Sequence, residues 1–207
     1  MRFDRKSFRE FQNKEEAAKW GKAHYSDWLP ELQNQDYKPQ TPAEYFFRRY
    51  TQGSPVAFNR ILRDVGVDKY NFEDSGLTKE MFFDSISEIN KHSLCEDIIV
   101  HRYVDIYTLR DMKKWNNVKL IRHNSILTDK GFFSTTLSLD SVTDKHYATL
   151  KEHSLLYIYV PKGTPCVYVD LVADMNENEM LFAPDIKLKV LGSYFFGRYI
   201  ECVVVND

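Results

Sequence analysis

The sequence holds three cysteines, Cys95, Cys166 and Cys202, an odd and widely spaced set with no CxxC pair. That excludes a disulfide framework and a cysteine-rich zinc site. Its six histidines form no HExxH or similar pairing, so metal chemistry is not expected. No run approaches the roughly 18 apolar residues of a membrane helix. Charge of one sign is also missing: 28 basic against 30 acidic side chains leave a formal net charge of −2. No global field therefore draws the chain to nucleic acid or an anionic membrane. The first residues, Met1-Arg2-Phe3-Asp4-Arg5-Lys6, are basic without an apolar segment behind them, which does not read as a signal peptide. Internal repeats and low-complexity linkers are lacking too.

What is present is the composition of a folded protein. Of 207 residues, 43% are hydrophobic and 28% charged, enough to bury a core without covalent staples. The aromatic content is high, with 14 Phe and 13 Tyr. The runs Tyr45-Phe46-Phe47 and Tyr194-Phe195-Phe196 are expected in the core, where large apolar side chains usually lie.

The chain reads as two halves of one α+β domain. From Ser7 onward, Ala17, Trp20, His24 and Trp28 recur at helical spacing, and Leu29-Pro30 closes that element. Thr41-Pro42-Ala43-Glu44 is a capping box ahead of Tyr45, Phe46, Phe47 and Tyr50. Ser54-Pro55 launches a short helix with Val56, Phe58, Ile61 and Leu62 inward and Gly66 past its end. A fourth helix starts after Thr78 and carries Met81, Phe82, Ile86 and Ile89. Beyond Asp97 the texture turns to β, with expected strands at 98–107, 118–122, 132–136, 155–160, 165–169, 186–191 and 200–205. Residues 141–152 read as a loop or a single helical turn. A helical layer (1–95) packed on a largely antiparallel sheet core (96–207) is the expected architecture.

Three features of the β half carry chemistry. Arg102 sits inside the apolar run Ile98-Ile99-Val100-His101-Arg102-Tyr103-Val104, where its guanidinium needs an anionic partner. A phosphate fits the planar fork, and so does a core carboxylate. Gly131-Phe132-Phe133-Ser134-Thr135-Thr136 ends an aromatic strand in three hydroxyls, which suits either a polar site or ordinary sheet residues. Glu177 and Glu179, two apart on a segment read as extended, project to one face just before the apolar Met180-Leu181-Phe182. A carboxylate at that boundary can stabilise developing positive charge, as in glycosyl transfer. A solvated acidic loop is the alternative.

Taken in order, Arg102, Ser134 and Glu179 resemble the arginine–serine–glutamate constellation of mono-ADP-ribosyltransferases, in the branch of bacterial exoenzymes and actin-modifying binary toxins. The resemblance runs over nearly the whole chain, through Glu15-Glu16-Ala17, Trp20-Gly21, Tyr50-Thr51, Asn59-Arg60-Ile61-Leu62-Arg63 and Val160-Pro161-Lys162-Gly163-Thr164. It implies a core of two roughly perpendicular sheets clasping NAD as co-substrate, with no metal. It also implies that Arg102 grips phosphate and ribose, and that Ser134 orients Glu179. Glu179 would stabilise the oxocarbenium ion as nicotinamide leaves. Tyr50, Asn59 and Arg63 would line the adenosine end, and Thr136 would complete the hydroxyl triplet where serine is commoner.

Glu177, two residues ahead of Glu179, accompanies transfer to arginine in this family. The chemistry is consistent, because a guanidinium is protonated at ordinary pH and needs a carboxylate to become a nucleophile. Tyr103 follows Arg102 where the actin-modifying toxins carry a second arginine, and residues 172–176 lack the aromatic that many toxins direct at their targets. Asp144-Lys145-His146-Tyr147 falls where the phosphate–nicotinamide loop belongs. The resemblance thus implies partners in NAD and a target protein bearing the acceptor arginine, with a separate translocation or secretion component as a further partner class. It implies no nucleic acid and no membrane insertion. The protein would be secreted or delivered and act in the target cytoplasm. An NAD glycohydrolase and an inactive NAD-binding module of the same fold are the alternatives.

Overall fold

The computed structural model describes residues 4–53, 55–73, 75–140, 153–172 and 176–205. Among these are five α-helices and eight strands. Helix α1 (Lys14–Tyr25) is shorter than the element expected from Ser7 to Leu29, because it starts only where the Asn13 side chain accepts from the Glu16 N–H. The chain then enters a 3₁₀ turn at Pro30 through Leu29, which is left-handed at φ 42°. Helix α2 (Pro42–Thr51) carries the full reciprocal capping box between Thr41 and Glu44. Helix α3 (Pro55–Arg60) runs into a π-turn over Ile61–Val65 that ends at Gly66. Helix α4 (Lys79–Asn90) is capped by Thr78.

The strands are β1 (Ile98–Asp105), β2 (Ile126–Asp129), β3 (Phe133–Thr136), β4 (His153–Val160), β5 (Val167–Tyr168), β6 (Glu179–Phe182), β7 (Ile186–Tyr194) and β8 (Tyr199–Val204). They pair in the order β2-β7-β8-β4-β1-β3-β6-β5. Only β4 with β8 is parallel. The β1–β3 joint holds through one register pair, His101 with Thr136, and divides the series into a five-strand and a three-strand half. The two sheets expected are thus joined here into one eight-stranded, mainly antiparallel sheet.

That joint positions the site. His101 pairs with Thr136 and Thr136 pairs with Glu179, so Arg102, Ser134 and Glu179 fall on three adjacent strands. The helical layer is fastened beside them by an aromatic cluster. Phe46 of α2 lies 4.5 Å from Phe132, centroid to centroid, and 4.7 Å from Phe58 of α3, which in turn meets Phe82 of α4 at 5.4 Å. Such offset contacts add to the large apolar area these rings bury. No helix of the described residues is long and apolar enough to cross a membrane.

Several elements differ from expectation. The first strand ends at Asp105, because that carboxylate caps a helix by accepting from the Tyr107 and Thr108 N–H groups. Helix α5 (Ile106–Lys114) follows where strand was expected to continue. Residues 118–122 form no strand; they are half-exposed or exposed throughout and lie between left-handed Asn117 and Asn124. The strand in that region is β2, too short at four residues to show a pattern. The expected 165–169 strand reduces to Val167–Tyr168. Val56 and His24 face solvent rather than the core. Of the aromatic runs, Phe46 and Phe47 are fully buried, whereas Tyr45, Tyr194, Phe195 and Phe196 are exposed. The last three end β7 and enter a tight turn with Phe195 and Phe196 at positive φ, beyond reach of the core. The segment 141–152 lies outside the described residues, as do Asp144-Lys145-His146-Tyr147 within it.

Candidate functional site

A cavity of about 600 Å³ opens between α2–α3 and the β1–β3–β6 strands. Tyr50, Asn59, Arg63, Arg102, Ser134, Glu177 and Glu179 all line it. Seven of the eight residues singled out from sequence are thus gathered in one place. The eighth, Thr136, is buried behind the wall and donates its hydroxyl to the Glu177 carbonyl at 2.6 Å. Its place is structural: it ties down the loop that carries the carboxylates.

The cationic end is built around a residue the sequence reading missed. Asp129, 1% exposed at the end of β2, accepts a two-pronged bond from Arg63, Nε at 2.8 Å and Nη2 at 2.7 Å. The same carboxylate lies 3.6 Å from Arg102 Nη2. Arg102 also donates to the Ser134 carbonyl at 3.1 Å and stacks on the Phe133 ring, 4.4 Å from its centroid. A core carboxylate, one of the two partners weighed for this arginine, holds it from behind while its side chain still lines the cavity. Burial and the neighbouring Arg63 lower the Arg102 pKa, against the pull of Asp129. For Arg63 burial is the largest influence and acts downward, yet the bonds and charge of Asp129 outweigh it and raise the pKa. Arg63 and Arg102 both face the cavity, where two guanidinium forks suit phosphate.

Gly131 explains how α3 approaches so closely. A Cβ there would stand 2.7 Å from Asn59 Oδ1 and 2.9 Å from Arg63 Nε. The Asp129-Lys130-Gly131 sequence is the available signal for this corner, since Asp129 Oδ1 also accepts the Gly131 N–H at 2.8 Å. Nearby, Asn59 Oδ1 is buried without a hydrogen-bond partner, beside the buried Tyr50 hydroxyl. Polar atoms left that way in a cavity wall favour a polar occupant.

The acidic end is organised by Asp170, also missed and without any local sequence signal. Its carboxylate accepts the N–H groups of Glu177 at 3.0 Å, Asn178 at 2.7 Å and Glu179 at 3.2 Å. The segment is not the simple extended stretch expected, because Asn176 and Asn178 are left-handed at φ 53° and 52°. Asparagine tolerates that region better than most residues. The Asn178 amide is held between the Tyr168 hydroxyl at 2.9 Å and the Lys14 carbonyl at 3.3 Å. Gly21 lies under the Tyr168 ring so closely that a Cβ would meet it at 2.6 Å, which gives the Trp20-Gly21 pair its reason. Glu177 and Glu179 thus reach the same cavity through a clamped loop rather than by strand alternation.

Glu179 is 9% exposed and its pKa is pushed up to about 7. Burial is the main cause; Asp170 and Glu177 add to it, while the hydrogen bond to Ser134 and the charge of Arg102 work against it. A carboxylate held so reluctantly as an anion is a group prepared for a task that needs negative charge. Asp170 is likewise raised, by burial outweighing its three N–H donors.

Residues 17–199 match the model of a family described as ADP-ribosyltransferase exoenzyme. No curated protein matches the chain by sequence. Among solved structures, Plx2a, an ADP-ribosyltransferase toxin from Paenibacillus larvae, is 21% identical with a TM-score of 0.68, over 95% of this chain and 99% of that one. C3stau2 from S. aureus, solved with NAD, is 20% identical with a TM-score of 0.68, covering 97% and 100%. BECa, an ADP-ribosylating toxin of a binary enterotoxin of C. perfringens, solved with NADH, is 22% identical with a TM-score of 0.65; the match spans 94% of this chain and 49% of that one.

Proposed function

The chain belongs to the ADP-ribosyltransferase exoenzyme family, and from that premise we propose that it transfers ADP-ribose from NAD to an arginine side chain of a protein, releasing nicotinamide. The observation that carries the arginine reading is Glu177, lining the same cavity as Arg102, Ser134 and Glu179. Arg102 and Arg63 offer the pyrophosphate two guanidinium groups already oriented by Asp129. Tyr50 and Asn59 supply polar atoms to the nucleoside beside them. Ser134 orients the Glu179 carboxylate through its hydroxyl.

The ionised Glu179 accepts from the ribose 2′-hydroxyl and stabilises positive charge on the ribose ring as the bond from C1′ to nicotinamide breaks. Glu177 holds the acceptor guanidinium and takes one of its protons, so that a nitrogen lone pair forms the new bond to C1′. Thr136 acts on Glu177 through the main chain, not on NAD. The family's toxins and exoenzymes make a secreted or delivered effector acting in a target cytoplasm the matching biological role, with a translocation partner as a further expectation.

The test is nicotinamide release from NAD with and without agmatine, a free guanidinium. Release stimulated by agmatine and lost in Glu179→Ala supports arginine transfer. Release indifferent to agmatine makes water the acceptor and the protein an NAD glycohydrolase. Bound NAD without release marks an inactive module.

A further inference from the structure

We infer that His24, Cys95 and Glu96 form a binding site for a transition-metal ion of the zinc class, remote from the catalytic cavity. One ring nitrogen of His24, the Cys95 sulfur and a Glu96 carboxylate oxygen lie within 4.8 Å of one another. None of the three lines the cavity described above. His24 ends α1, and Cys95-Glu96 belong to the connection from α4 to β1, so the cluster arises only in the fold. That is why motif spacing gave no hint of a metal.

The donors are prepared in a way that suits a metal. His24 Nδ1 lies 2.8 Å from the Trp20 carbonyl, which fixes the proton on that nitrogen and leaves the Nε2 lone pair available. The imidazole also packs on the Trp20 ring at 4.6 Å. On Glu96, Oε1 accepts from Trp20 Nε1 at 2.5 Å and from Arg9 at 3.2 Å, while Oε2 makes no hydrogen bond among the described residues. Trp20 therefore braces two of the three ligands. His24 and Cys95 are exposed and Glu96 is half-exposed, so a side-chain movement of about 1 Å brings the donors to the spacing of a tetrahedral ion with bonds of roughly 2.0–2.3 Å.

One imidazole, one thiolate and one carboxylate, with water in the fourth place, is a zinc set rather than the all-oxygen shell of calcium or magnesium. A cysteine thiol is ordinarily protonated near neutrality. Binding replaces its S–H bond with a sulfur–metal bond and releases one proton to solvent. The ion then joins α1 to the segment leading into β1, the strand that carries Arg102.

The experiment uses the full chain, reduced and freed of metal by a chelator, titrated with Co²⁺ and then Zn²⁺. The expected result is a thiolate-to-cobalt charge-transfer band saturating at one equivalent and erased by Zn²⁺, release of one proton, and a higher melting midpoint with Zn²⁺. Cys95→Ser abolishes the band; His24→Ala weakens binding about tenfold or more. Both variants melt like the parent without metal and still release nicotinamide, which separates this site from the cavity. A missing band, a band that survives Cys95→Ser, or an affinity untouched by both His24→Ala and Glu96→Gln overturns the proposal.

Discussion

The two ends of the cavity treat buried charge in opposite ways. At the cationic end, Asp129 compensates Arg63 through two short bonds and reaches Arg102 at 3.6 Å, so both guanidinium groups remain charged and aimed. At the acidic end, Glu179 is surrounded by Asp170 and Glu177, and burial drives its pKa to about 7. In the proposed reaction the first end binds a charge always present on NAD, and the second is held at a cost until a positive charge develops beside it. Arg102 stands on β1 and Glu179 on β6, so the compensated and the destabilised charge come from different strands that line one cavity.

Breaking the compensated end gives the largest effect. Asp129→Ala leaves two arginines beside each other without their carboxylate, and a loss of about 3–5 kcal/mol is expected, read from urea unfolding. NAD affinity should fall with it. An unchanged midpoint would mean that the arginines compensate each other through solvent, and the contrast between the ends would disappear.

Glu177→Ala probes the other end at the acceptor. Transfer to agmatine should drop by about 10²–10³ while NAD hydrolysis stays within a few-fold, measured by nicotinamide release in parallel assays. Equal loss of both would place Glu177 in the glycosidic step.

Glu179→Gln tests the stored cost. The native pKa of about 7 lies above the ordinary 4.5, so the folded state holds its proton more tightly than the unfolded state. Stability is therefore lost as pH rises from about 4.5 to 7, and the penalty is complete above 7. The variant should be more stable than the parent by about 2–3 kcal/mol at pH 8 and equal to it near pH 4, by thermal melting. In the parent, NAD hydrolysis should rise through pH 7 as the same carboxylate ionises.

The smallest effect is expected from Thr136→Val. It removes the bond to the Glu177 carbonyl and should cost about 1 kcal/mol, with transfer reduced more than hydrolysis.

Much of this site is legible along the chain because its parts are local. A capping box announces itself within four residues, as Thr41 and Glu44 do. Arg102 stands out because a guanidinium in an apolar strand demands a partner. Glu177 and Glu179 stand out because the chain turns apolar immediately after them. Asp170 has no such signature, and Asp129 has only the turn residues Lys130-Gly131 after it: each is one of 30 acidic side chains, and its importance lies in which N–H groups meet it across the fold. Helix α5 was concealed because Asp105 acts as a cap only once the strand has ended there. The aromatic run at 194–196 misled for a related reason: composition predicts burial, but a tight turn carries its side chains outward whatever their polarity.

The sequence by itself determined the α+β order and the starts of α2, α3 and α4, and it marked Arg102, Ser134 and Glu179 as positions that need partners, because each depends on neighbours within a few residues. Tertiary structure decided how those positions are charged and held. Which carboxylate faces which arginine, which N–H groups converge on Asp170, and how far Glu179 is driven from its ordinary pKa all depend on distances of a few ångströms between residues far apart in the chain. Electrostatic energy is set by those distances and by the water excluded around them, and both exist only in the folded protein.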